Sequence, residues 1–190
     1  MSGRRIIVLL SLFWFGMMGA KGFNYSDIVL DHVVIQGSSN ISDFMLTYIN
    51  DQSGHHNLSA FEVNDSTVYF NIPVDYITAS NRVLVSDFRD LIKAKNYPYI
   101  VISISKRQIE AIAKGKKSDN LKFDVTIAGH SNTYSIPFFV GRLPGSYEYV
   151  MGKTNLQLTD YNLEPAKKIF GLIKISNEVF INFRINFKSS

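Results

Sequence analysis

The groups with which this 190-residue chain could do acid–base, metal or nucleophilic chemistry are few: four histidines, sixteen acidic residues and no cysteine. Without cysteine there is no thiolate nucleophile, no disulfide and no thiol to carry a lipid. His55 and His56 are adjacent in the polar stretch 51–58. On a strand they would point to opposite faces; in a loop they could share a metal, but no third ligand is signposted. His130 sits at a hairpin tip and reads as a solvated turn residue. His32 falls in a strand, where a hydrogen-bonded wall residue is its ordinary role. Asp160 and Glu164 have a spacing open to a paired-carboxylate hydrolase, yet a loop before an apolar strand commonly carries such residues as capping or solubilising groups. No glycine-rich phosphate loop, HExxH helix or Gly-x-Ser-x-Gly elbow is present. An enzyme is therefore not expected, no catalytic residue is assigned, and neither a metal nor a cofactor is implied.

Composition narrows the class further. The formal charge is only +4 and no arginine-rich run occurs, which argues against a nucleic-acid partner. The densest basic spot, KGKK at 114–117, reads as a solvated turn. Residues 1–22 have the form of a signal peptide: Arg4 and Arg5, an apolar run over 6–18, then small residues at Gly19, Ala20 and Gly22. The apolar run is short for a membrane span. The expectation is a mature chain of residues 23–190, one domain, periplasmic or secreted, with no stable membrane span after cleavage.

The elements that would position any site are mostly strands. Residues 121–141 form the clearest unit. Leu121, Phe123, Val125 and Ile127 alternate with polar neighbours, 129–132 is a polar turn, and Tyr134, Ile136, Phe138 and Val140 resume the alternation. Further strands are expected over 28–37, 41–50, 67–74, 99–109, 146–158 and 179–187. In 41–50 Phe44, Leu46 and Tyr48 share a face, in 146–158 Tyr147, Tyr149 and Met151 do, and in 179–187 every second residue is apolar. Between 79 and 97 the period changes: Val85, Phe88, Leu91 and Ile92 fall at helical spacing, with Ser86 and Asp87 as candidate caps. The result is an all-β chain of about eight antiparallel strands with one short helical segment. Closure into a barrel would remove exposed edges; a two-sheet sandwich satisfies the same periodicity.

Four stretches resemble the YceI-like family of exported, lipocalin-like, polyisoprenoid-binding proteins. They are GSSNISDF (37–44), the run from IPVDY to ISIS (72–105), VTIAGHSNTYSIPF (125–138), and LTDYNLEP followed by FGLIKISNEV (158–179). The early strand lacks the His-Ser pair of many members, which marks a divergent branch. The resemblance implies an eight-stranded antiparallel lipocalin-like barrel holding a long isoprenoid or other long-chain amphiphilic lipid, stored or transported. The 14 Phe and 10 Tyr suit an apolar tunnel. Burial of hydrocarbon is worth about 0.8 kcal/mol per CH2, so a five-carbon unit contributes roughly 3–4 kcal/mol at most.

If the more apolar face of each strand points inward, the ligand-binding residues are Phe44, Leu46, Tyr48, Phe70, Phe123, Phe138 and Phe183, with Phe88 and Leu91 of the helical segment over one mouth. A one-residue register error would turn any of them outward. The partner expected is thus a hydrophobic small molecule, with a homodimer allowed. The same aromatics could instead fill the barrel, giving a structural or stress-protective interaction protein with a ligand-free core.

Overall fold

The computed structural model describes Tyr25 and residues 28–50, 63–64, 66–116, 119–145, 147–165, 167–168 and 173–188. The expected leader, 1–22, and the loop 51–58 with His55 and His56 lie outside the described residues. Among the described residues twelve antiparallel strands form two sheets. The larger joins β1 (Val29–Ser39), β2 (Asp43–Ile49), β5 (Thr78–Ala79), β9 (Phe138–Leu143), β10 (Tyr147–Gln157) and β12 (Ile173–Lys188) in the order β5-β2-β1-β12-β10-β9, with β11 (Lys167–Lys168) beside β12. The smaller runs β3 (Val63–Asn64), β4 (Thr67–Pro73), β6 (Tyr99–Ser105), β7 (Leu121–Ile127) and β8 (His130–Ile136).

Where a closed eight-stranded barrel was expected, the described residues form two sheets facing one core, and among them no ladder joins the two. Pro137 shows why on one side. It follows β8 and precedes β9, and proline has no N–H for a ladder. The chain leaves the small sheet there and joins the large one, with β8 paired to β7 and β9 to β10. On the other side the terminal strands β3 and β5 have two residues each. Without the three two-residue strands, and with β8 and β9 counted as one, the expected eight strands remain.

Local chemistry accounts for the turns. Ser39 Oγ accepts from the amides of Ile41 and Ser42 at 3.3 and 3.1 Å and donates to the Ser42 carbonyl, closing the β1–β2 connection. Asn40 ties that turn to β12 through Lys174, its Oδ1 accepting from the Lys174 amide at 2.8 Å. Between β7 and β8 the turn is Ala128–Gly129, both at positive φ (+49° and +80°), rather than the expected 129–132. Two residues with φ > 0 give the tight turn whose twist suits a hairpin.

Among the described residues there are two α-helices where one was expected. In α1 (Arg82–Leu91) the cap is Asn81, whose side chain accepts from the Val83 amide at 2.8 Å, not Ser86 or Asp87. The second, α2 (Lys106–Ala113), takes the end of the expected strand 99–109. Ser105 Oγ caps it by accepting from the Gln108 amide, and Ile109, Ile112 and Ala113 are buried at helical spacing. The alternation through Ile100, Ile102 and Ile104 masked that change of period. The helices are anchored differently: α2 buries three residues and α1 none.

Candidate functional site

Inward side chains from both sheets leave a narrow apolar cavity of about 60 Å³. Its lining follows β12 from Ile175 through Val179 and Ile181 to Phe183, roughly 25 Å of strand. Phe44, Leu46 and Tyr48 of β2 form one wall, and Phe123, Val125 and Ile127 of β7 the facing one. Phe88 and Leu91 of α1, both half-buried, cover a flank, while Ile92 just after the helix is 3% exposed. The polar atoms of the lining are few and uncharged. Thr154 donates to the Asn155 carbonyl at 3.3 Å. Burial, with a smaller contribution from Tyr76, pushes the Tyr48 hydroxyl up to about 12, so it stays neutral at ordinary pH.

Seven of the nine residues expected at the ligand border this cavity: Phe44, Leu46, Tyr48, Phe88, Leu91, Phe123 and Phe183. Phe70 points inward and is fully buried but does not border it. Phe138 is also on the inner face, paired with Gly152 and packed half-buried against the core, but it borders a surface hollow with Ile112, Arg142 and Glu148 rather than this cavity. Phe138 keeps the inward alternation of Ile136, but it stands opposite Gly152, one step past Thr154, where β10 leaves the cavity.

The face of β10 is reversed. Tyr147 and Met151 are exposed, whereas Val150, Gly152, Thr154 and Leu156 point inward. A glycine and a threonine hide the apolar period, and the glycine has a reason. A Cβ on Gly152 would stand 2.6 Å from Phe183 Cζ and 2.7 Å from Ile136 Cδ1. Gly37 serves Phe44 likewise: a Cβ there would stand 2.3 Å from the ring's Cζ. Each glycine faces its aromatic across adjacent strands, Gly37 opposite Phe44 and Gly152 opposite Phe183. Leu163, Ile77 and Ile100 also line the cavity and were not singled out, because loop residues and a strand's first positions carry little periodicity.

The candidate catalytic groups do not converge on the cavity. Asp160 and Glu164 are exposed, and His130 is exposed at the first position of β8. His32 turns to the outer side of the large sheet, where its Nδ1 meets Asp31 at 2.7 Å. Asp31, left over at a bulge between Leu30 and His32, also accepts from Arg184 Nη2 at 2.9 Å and Asn186 Nδ2 at 3.0 Å. Burial would raise the Asp31 carboxyl, but hydrogen bonds from His32 and Arg184, with the Arg184 charge, hold it below the usual carboxylate value. Among the described residues no three His, Asp or Glu side chains gather as a metal site needs.

Two antiparallel sheets enclosing a charge-free, apolar cavity define the class: an antiparallel β protein with an apolar interior void. The YceI-like domain profile matches residues 29–187, and the chain belongs to the YceI-like family. No curated protein matches by sequence. Among solved structures the fold is similar to a polyisoprenoid binding domain from Saccharophagus degradans implicated in plant cell wall breakdown. There the identity is 16% and the TM-score 0.63, over 86% of this chain and 99% of that one. It is also similar to BcnA of Burkholderia cenocepacia, at 14% identity and TM-score 0.51 over 87% and 99%. At these identities the likeness is one of fold.

Proposed function

We propose that this protein is an exported, non-enzymatic lipid carrier that holds a long isoprenoid or similar amphiphile between its two sheets, for storage or transport in the periplasm or outside the cell. The observation that carries the proposal is the cavity: long, uncharged and bordered by five aromatic side chains, Phe44, Tyr48, Phe88, Phe123 and Phe183. The family, and the polyisoprenoid binding domain among its structural relatives, support the choice of ligand class. The leader-like residues 1–22 support export.

Volume favours a second reading. About 60 Å³ is well below the ~150 Å³ of an engineered void that admits benzene. As it stands the interior is nearly filled, as a structural or stress-protective protein with a dry core would have it. A carrier must therefore widen on loading. The wall to move is α1, which buries no residue of its own and presents Phe88 and Leu91 to the cavity, rather than a sheet whose backbone is hydrogen-bonded along its length.

The test is native mass spectrometry of the purified protein before and after delipidation, then after addition of a prenyl alcohol. A carrier retains lipid, loses it and takes the alcohol up again. Phe123→Trp, on the cavity wall, lowers that uptake, and Lys122→Trp, on the exposed face of the same strand, does not. No co-purifying lipid and no uptake would establish the dry core instead.

A further inference from the structure

The interior holds a second, smaller void of about 10 Å³ at the end covered by α2, lined by Ile104, Ile109, Ile112, Leu121, Val150 and their neighbours. The two voids have no lining residue in common. The division runs across the strands at one level. On β6 Ile102 borders the large cavity and Ile104 the small void; on β7 Phe123 and Leu121 do the same, and on β12 Phe183 and Ile185. On β10 Gly152 falls between Thr154, on the large cavity, and Val150, on the small void.

What stands at that level is aromatic. Phe123 and Phe183 meet edge to face, centroids 5.3 Å apart and planes at 72°, and Tyr134 stacks behind Phe123 at 5.8 Å. Phe70, Phe123 and Phe183 are all buried, and Phe70 borders neither void. Gly152 fixes the position of the Phe183 ring, since any side chain there would meet it. Packing this dense transmits a change of one methylene.

We infer that the Phe123–Phe183 pair, seated on Gly152, is the stop that sets how long a hydrocarbon chain the cavity accepts. The inference rests on the carrier function proposed above. A chain lying along β12 from the Ile175 end gains apolar burial with each methylene until it reaches this wall, and gains none beyond it. Each buried methylene is worth about 0.8 kcal/mol, so occupancy rises about fourfold per methylene up to the stop.

The experiment equilibrates the purified protein with an equimolar mixture of all-trans prenyl alcohols, geraniol to solanesol, and reads bound species by native mass spectrometry. Wild type shows occupancy rising with length and then a break. Phe123→Leu and Phe183→Leu thin the wall and move the break to a longer alcohol. Gly152→Ala thickens it and moves the break to a shorter one. Ile104→Val, which enlarges only the small void, leaves it in place. If the leucine variants fail to fold, the direction of the Gly152→Ala shift decides. A break at one length in every variant overturns the inference and leaves the carrier standing, as does an Ile104→Val shift equal to that of Phe123→Leu. Binding of no alcohol by wild type removes the carrier function and the stop together.

Discussion

Gly37→Ala offers a test of how the cavity wall is held. The residue is not in the left-handed region, so alanine fits its backbone and removes the entropy penalty of a strand glycine, a gain of about 0.5–1 kcal/mol. Against this, the new Cβ would lie 2.3 Å from Phe44 Cζ and 2.6 Å from Cε2, where ordinary contact begins at 3.4 Å. The ring must retreat by about 1 Å into the cavity or toward solvent. Overpacking of this kind costs about 1–3 kcal/mol, so the net loss lies between about 0 and 2.5 kcal/mol, centred on about 1 kcal/mol. For a chain of this length the central value lowers the melting temperature by about 2–4 °C.

The deciding measurement is a double-mutant cycle. In a Phe44→Ala background the clash is gone, and Gly37→Ala should stabilise by about 0.5–1 kcal/mol. The coupling between the two sites is then about 1–3 kcal/mol. Urea unfolding of the four proteins followed by far-ultraviolet circular dichroism gives it. Additivity within about 0.5 kcal/mol would show that the Phe44 ring does not rest on Gly37.

Two further outcomes follow from the outer face and the central hairpin. Because Asp31 is held below its ordinary carboxylate value, its contribution to stability is fully present above the unfolded value near 4 and is lost as pH falls through the lower folded one. Arg184→Met should therefore lower stability at neutral pH and flatten the acid decline below about pH 4; an unchanged slope in acid urea titrations would contradict this. Gly129→Ala forces a side chain to φ +80° and to 2.8 Å from the Tyr97 ring, and should cost about 1–3 kcal/mol in the same unfolding assay. A loss under about 0.5 kcal/mol would mean that the two-residue turn is not formed.

Much of the fold was legible because strand residues alternate whatever lies across from them. Leu121–Ile127 shows four buried residues at every second position, and β2 puts Leu46 and Tyr48 inside as their pattern requires. Residues whose inward place depends on a neighbour were not legible. Gly152 is inward because Phe183 needs the space, and so β10 displays its aromatic face to solvent. Phe138 continues the inward face of Tyr134 and Ile136, yet Pro137 moves it to the other sheet and past the end of the cavity. Helix α2 was hidden by isoleucines that suit a strand up to Ile104 and a helix from Ile109.

By itself the sequence determined an antiparallel, cysteine-free β protein with an apolar interior and a YceI-like pattern, since backbone pleating writes period two into the residue order. Only the tertiary structure decided that the strands divide into two sheets, that the space between them is narrow, and that aromatic rings partition it into two voids. Those properties depend on which side chains meet across strands distant in sequence, and on volumes left after packing. Residue order does not specify that remainder locally.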